Sequence, residues 1–305
     1  AAIKKSRHIH WCQDIYPDLL PVLNVPLSRR TMAFLERISN KALRRCDRIV
    51  TLGRCMARRL TQKGIAPGKI SVIPNWADAE LGASQKEKGA AGARKTRPQK
   101  NVRPFEQQRR ESVPAKFRVL YAGNLGRSHP LRSIIQAAEI LDRDHPEIEF
   151  VFVGDGPKFN RLAEIRSRRN LRNIRLMPFQ PAESLRDLME SGDVHLISMK
   201  AETAGLLLPS KIYAALAVAR PVIFLGPEQS DIARLLGDFG AGVTVPQDDG
   251  VRLAASILRY RENGEEWFAA HRGARDAGKT FVPRESLNAW LARARNVVGL
   301  PPRAG

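Results

Sequence analysis

From residue 117 onward, short apolar runs alternate with longer stretches in which apolar residues recur at helical spacing. The runs "FRVLYAG" (117–123), "EFVFVG" (149–154), "IRLMPF" (174–179), "VHLISM" (194–199), "PVIFLG" (221–226) and "AGVTV" (241–245) are short and almost wholly apolar. They predict strands buried on both faces, as in a parallel sheet covered by helices. Helices are expected near 130–142, 157–169, 182–191, 209–218 and 228–236, with more from Val251. Six strands in about 170 residues make one complete Rossmann-like domain.

The same alternation occupies less of the chain before residue 80. Strands are expected at 8–12, 48–52 and 70–74, and helices at 28–46 and 54–63. Three strands are part of a doubly wound domain, which usually has five or six. Between the two regions, "GASQKEKGAAGARKTRPQKNVRPFEQQRRESVP" carries almost no large apolar residue. Such a segment cannot bury enough surface to offset the entropy of ordering it. The expected organisation is a partial Rossmann-like domain over 1–80 and a basic, flexible linker over 81–115. A complete Rossmann-like domain follows over 116–283. A C-terminal helix and tail over 284–305 are expected to pack back on the first domain.

Composition refines this picture. At 305 residues, 43% of them hydrophobic, the chain suits one large domain or two ordinary ones. No apolar run reaches about 18 residues, so no membrane-spanning helix is expected. The segment 212–226 comes nearest, and Arg220 with Pro221 interrupts it. No secretory signal is visible at the start. Cys12, Cys46 and Cys55 fit neither a disulfide framework nor zinc-ligand spacing, and read as free, buried thiols in a reducing cytoplasm. The net charge of +20 suits anionic partners. Part of that excess is local, since residues 84–116 hold ten Lys/Arg against three Glu, a net +7.

Candidate chemistry collects at three strand ends, where open α/β sheets bind ligands. In "YAGNLGRSHPLRS" (121–133), Gly123 and Gly126 permit a tight turn, and Asn124, Arg127, His129 and Arg132 add polar groups and charge. This is either a phosphate-binding loop or an ordinary turn with a basic rim. In "VFVGDGPKF" (151–159), Gly154-Asp155-Gly156 forms a sharp turn and Pro157 suits a first helical position. The third is Pro209-Ser210-Lys211 inside the apolar "GLLLPSKIYAALAVARPVIF" (205–224). Ser210 is an N-cap candidate. A lysine in a first turn works against the helix dipole, which a docked diphosphate would offset.

These pieces, with "WCQDIYPD" (11–18), "DRIVTLG" (47–53), "KISVIPNWAD" (69–78), "MPFQP" (177–181) and "DVHLISMK" (193–200), occur in an order and spacing that resembles the retaining glycosyltransferases of family 4. The likeness is greatest to bacterial aminosugar transferases of surface-polysaccharide synthesis, and it covers nearly the whole chain except the linker and the extreme C-terminus. It implies a GT-B fold of two Rossmann-like domains, the first incomplete. About a hundred residues of that first domain are expected to be missing. The resemblance also implies a nucleotide sugar, UDP-linked, as co-substrate, with no cofactor and no bound metal. Donor binding would involve Gly123, Asn124, Gly126, Arg127, His129, Asp155, Phe179, Gln180, Thr203, Gly205, Leu206, Ser210 and Lys211. Glu202 would stand at the reacting centre with Gln13 and Asp14 opposite. Gln13 stands where many relatives have histidine, and Ala214 replaces the second glutamate of the family's Glu-x7-Glu pattern. A sugar-nucleotide epimerase of the same fold and a degenerate, non-catalytic binding protein stay open as alternatives.

Arg30, Arg37, Lys41 and Arg44 share one face of the helix expected at 28–46, opposite Met32, Leu35, Ile38, Ala42, Leu43 and Cys46, and Arg48 follows at the same spacing. The face is either a solvated domain surface or a contact with anionic lipid, bringing a cytoplasmic enzyme to a lipid-linked or saccharide acceptor on the inner face of the membrane. Specific nucleic-acid binding is not expected, because the linker has only Phe105 for base stacking.

Overall fold

The computed structural model describes residues 6–78, 81, 116–126 and 129–300. Leu81 apart, the segment read as a linker lies outside the described residues, as does Arg127.

The first unit has three parallel strands in the order β1 (Ile9–Cys12), β2 (Arg48–Thr51), β3 (Ile70–Val72). Cys12 stands opposite Thr51, and Thr51 opposite Val72. Three helices connect them: α1 (Leu19–Val22), α2 (Arg29–Arg45) and α3 (Arg54–Gln62). Helix α1 was not anticipated; with four residues it is below the length at which periodicity is readable. Ser28 caps α2 by accepting the Thr31 N–H at 3.1 Å. Cys12, Leu43, Cys46, Ile49, Met56 and Leu60 form one core.

Helix α2 departs from its expected orientation. Leu43 is its one buried residue, and Ile38 and Ala42, placed on the inward face, are exposed. Phe34 (61%) and Ile38 (51%) are open to solvent one turn apart. Met32 and Leu35 are half-buried, so the helix rests on the domain along a narrow stripe that leaves Phe34 and Ile38 outside.

The second unit has six parallel strands: β4 (Phe117–Ala122), β5 (Ile148–Val153), β6 (Ile174–Met177), β7 (Val194–Ser198), β8 (Val222–Leu225) and β9 (Gly242–Val245). Their spatial order is β6-β5-β4-β7-β8-β9, the doubly wound Rossmann order with its reversal between β4 and β7. The connecting helices are α4 (Arg132–Asp144), α5 (Pro157–Arg168), α6 (Leu185–Ser191), α7 (Lys211–Ala217), α8 (Asp231–Phe239), α9 (Gly250–Glu262) and α10 (Gly264–Thr280), followed by α11 (Pro283–Val297). Alternate residues of β4 feed two cores: Phe117, Val119 and Tyr121 on one face, Leu120 on the other. Burying each such side chain contributes about 1.5–3 kcal/mol. Both faces are covered, which explains why these strands read as unbroken apolar runs.

The sequence Asp142-Arg143-Asp144 ends α4 and lies away from the strand tips. The Asp142 carboxylate accepts the N–H groups of Arg172 and Asn173, both at 2.8 Å.

The two units meet at several points. Ile15 N–H donates to the Leu206 carbonyl at 2.8 Å, and Leu206 joins the core of the first unit. Ala77 enters a core of the second unit with Ile212, Tyr213 and Phe224. Helix α11 lies on the first unit: Ser286 Oγ donates to the Pro74 carbonyl, and Trp290 makes an edge contact with Trp11 at 5.2 Å.

Candidate functional site

The reversal of strand order makes a crevice beyond the carboxyl ends of β4 and β7, the usual ligand position in such sheets. The chain leaves β4 through Gly123, at φ +114°, where a Cβ would stand 2.8 Å from Lys211 Cε. Gly154, after β5, has φ +148°, and a Cβ there would stand 2.3 Å from the Gly123 carbonyl oxygen. Two glycines are therefore needed for the two strand ends to pack together.

Lys211 crosses from α7 to this loop. Its Nζ donates to the Asn124 carbonyl at 3.0 Å and lies 4.9 Å from the centre of the Tyr121 ring. Burial brings the ammonium down to about 8. Ser210 occupies the N-cap position with helical dihedrals and no side-chain cap bond, so the capping role expected of it is not made. The residue is exposed.

Beside Lys211 lies a cavity of about 230 Å³. Gly123, Phe179, Gln180, Ser210, Lys211 and Ala214 line it, over a deeper apolar wall that includes Val153, Leu188 and Met189. Phe179 is 60% exposed at its rim. His195, also in the lining, is buried, and its Nε2 meets the Met189 carbonyl at 2.8 Å. Burial lowers its pKa to about 4. His195 carries no signal of this in the sequence, since its place within an apolar strand gives no sign that this face borders a cavity.

Other anticipated donor residues lie elsewhere. His129 is 8% exposed and its Nδ1 lies 2.7 Å from the Ser198 carbonyl, tying the end of β4 to that of β7. Burial first, then the nearby charge of Lys211, lowers its pKa to about 3, so it is a neutral ring and does not supply phosphate-binding charge. Thr203 is fully buried and its hydroxyl donates to the Lys200 carbonyl. Leu206 is buried in the first unit's core, with its carbonyl bonded to Ile15. Asp155 is exposed and accepts the N–H of its own neighbour Gly156 at 2.7 Å. Asn124 is exposed, and Gly126 is half-buried in the same loop.

The residues expected at the reacting centre flank the junction of the units. Gln13 Oε1 accepts from Asn75 Nδ2 at 3.0 Å. Partial burial raises the carboxyl of Asp14. Glu202 is exposed in the turn Ala201–Thr203. Gly205, at φ +75°, would place a Cβ 3.0 Å from the Cys55 carbonyl. Among the described residues, no group of three or more His, Cys, Asp or Glu is placed to hold a metal ion, and no helix is long and apolar enough to cross a membrane.

Two Rossmann-type sheets apposed across a crevice, with a cavity at one sheet's reversal point, define the GT-B architecture. Residues 116–263 match the family model described as glycosyl transferases group 1, and residues 1–81 match the model described as glycosyltransferase family 4. WcaI of Escherichia coli K12, whose name assigns it to glycosyl transfer in colanic acid biosynthesis, is 29% identical over 225 residues, 70% of this chain and 49% of that protein. WbjE of Pseudomonas aeruginosa, named as a glycosyltransferase, is 25% identical over 246 residues, 80% of this chain and 57% of that one. The chain thus spans about half the length of these curated relatives. The crystal structure of Anabaena HepE in complex with UDP and glucose superposes with a TM-score of 0.68 at 15% identity, covering 97% of this chain and 73% of HepE. Sucrose-phosphate synthase from Thermosynechococcus elongatus gives the same score and identity over 98% and 70%.

Proposed function

We propose that this chain is the donor-binding part, with an acceptor-facing part, of a retaining glycosyltransferase of surface-polysaccharide synthesis. It takes a hexosyl or aminosugar group from a UDP-sugar to a lipid-linked or saccharide acceptor. The observation that carries this reading is the convergence of Gly123, Phe179, Gln180, Ser210 and Lys211 on one cavity at the strand reversal. The base enters the apolar cavity under Phe179, and the diphosphate lies across the Gly123 loop near Lys211. Ala214 offers no carboxylate to the ribose, which other groups must hold.

In the reaction, an acceptor hydroxyl oxygen bonds to the anomeric carbon as the bond from that carbon to the diphosphate oxygen breaks. Positive charge placed where the leaving diphosphate gains charge lowers the barrier. Lys211 is the described side chain best placed for this. Gln13 and Asp14 beside Ile15, and Glu202 in the segment that leads to Leu206, are assigned to the reacting centre because the Ile15–Leu206 bond joins their two stretches of chain. No metal or cofactor takes part.

The enzyme is proposed to work at the inner face of the cytoplasmic membrane. Supporting this are exposed Phe34 and Ile38 on α2, and Arg30, Arg37, Lys41 and Arg44 on the same exposed helix.

Melting of the chain with UDP, GDP, ADP and their sugars at fixed salt tests the donor site. A rise specific to UDP, lost in Lys211→Ala, is the expected result. A cooperative transition that no nucleotide moves would overturn the proposal.

A further inference from the structure

We propose that Asp231 is a positioning residue: its carboxylate is a latch that closes the second unit onto the start of helix α3 in the first. Asp231 opens α8, yet its side chain leaves its own helix and crosses the crevice. Oδ1 accepts the Arg54 N–H and Oδ2 the Cys55 N–H, both at 2.9 Å. These are the first two N–H groups of α3, which have no partner within their own helix. Each bond is charge-assisted and sits on the positive end of a helix dipole.

A second observation shows that the approach is built into the other unit. Gly53 has φ −156° and ψ 168°, extended backbone that any residue adopts. Its backbone therefore does not call for glycine. The reason is Asp231: a Cβ at Gly53 would stand 2.3 Å from Oδ2 and 2.6 Å from Cγ. Around this contact, Arg234 donates to Asp231 at 3.3 Å and to Cys55 Sγ at 3.3 Å, while Cys55 Sγ donates to the Gln229 carbonyl at 3.4 Å. On the other side the Cys55 carbonyl backs Gly205. Closing the latch thus sets the first unit against the 203–206 segment, where the Ile15–Leu206 bond also forms.

Cys55 supplies the readout. It is half-buried behind the latch, whereas Cys12 and Cys46 are buried in the core of the first unit. Opening the crevice exposes Cys55 alone. The test is iodoacetamide alkylation of the whole chain, with each thiol followed by peptide mass, alongside small-angle scattering. Asp231→Ala and Gly53→Ala are each expected to raise the Cys55 rate by about tenfold, the change when a charge-assisted bond is lost from the closed form only. Both are expected to enlarge the radius of gyration and leave Cys12 and Cys46 unreactive. Because the Asp231 charge, after burial, also raises the Cys55 thiol, alkylation is followed across pH, which separates a change in thiol acidity from a change in exposure. The double variant should add nothing, because both changes remove one contact.

Unchanged Cys55 rates and dimensions in Gly53→Ala would overturn the latch, as would additive effects in the double variant. Should Asp231→Ala unfold and expose all three thiols, Gly53→Ala decides. A consequence for turnover rests on the transferase reading: both variants should lower kcat while the UDP-induced melting shift persists. A wild-type chain that ignores nucleotides refutes that reading and leaves the alkylation result standing.

Discussion

Lys211 on α7 and Asn124 in the loop after β4 are joined by a 3.0 Å hydrogen bond from ammonium to carbonyl, over the face of Tyr121. The bond holds a cation beside the cavity before any ligand arrives. Because burial brings Lys211 down to about 8, the free protein loses this charge within an ordinary range of buffers. UDP affinity should be flat below pH 8 and weaken above it by up to about tenfold per unit. Lys211→Arg, which keeps its charge, should remove the bend. Titration calorimetry from pH 6.5 to 9.5 gives the profile.

The buried histidines set the acid limit of stability. His129 and His195 have folded-state values of about 3 and about 4, below the unfolded 6.5. Between those values the unfolded chain binds protons that the folded chain does not. Their stability contribution is therefore present above pH 6.5 and falls away as pH drops toward 4 and then 3. The slope is up to about 1.4 kcal/mol per pH unit for each histidine. Urea midpoints from pH 7 to pH 4 should fall accordingly, and His129→Asn should show a shallower decline.

Much of the second unit could be read from pattern, since two-sided burial leaves a simple apolar signature in each of β4 to β9. The destinations of polar side chains could not. Thr203 and His129 look like anion-binding groups in a glycine-rich context, yet their partners, Lys200 and Ser198, are set by how the strand ends meet. Ser210 has the right identity for a cap, but its helical dihedrals turn the hydroxyl away from the helix N–H groups. The Asp231–Gly53 approach joins residues far apart in sequence, and neither carries a local signal of it. Lys211 was legible for the opposite reason: a lysine at the start of an apolar helix is locally unfavourable and invites an explanation.

Gly154→Ala should be among the most damaging single-methyl changes in the chain. It forces a side chain into a positive φ and against the Gly123 carbonyl. The expected cost is roughly 2–4 kcal/mol, and the nucleotide response should vanish with the loop geometry. Differential scanning calorimetry with and without UDP separates the two effects.

Asp18 anchors the loop after β1. Its side chain is 6% exposed and bonds Lys63 at 2.6 Å and Arg59 at 3.2 Å. Asp18→Ala leaves the Lys63 ammonium, on a side chain that is 10% exposed, without its counter-charge. The expected loss is roughly 3–5 kcal/mol, and Asp18→Ala with Lys63→Met should recover much of it. Chemical denaturation of the single and double variants measures both.

The exposed face of α2 makes a direct forecast for lipid binding. Arg37→Glu with Lys41→Glu should weaken sedimentation with phosphatidylglycerol vesicles at least about tenfold, since each cation near such a surface contributes about 1 kcal/mol. Phe34→Ser should weaken it further, and phosphatidylcholine vesicles should bind neither form. Equal binding by wild type and the charge reversal would remove the membrane from the proposal.

The four tryptophans are unevenly placed. Trp11 and Trp76 stack at 6.2 Å, and Trp290 of α11 closes on Trp11, while Trp267 stands apart against His271. Ultraviolet emission from this molecule is therefore weighted toward one spot, where a strand near residue 10 meets a helix near residue 290. Indole rings this close couple their transitions, so near-ultraviolet dichroism gauges whether the last helix is seated. A fluorescence titration would report that seating long before it registered anything happening beside Lys211.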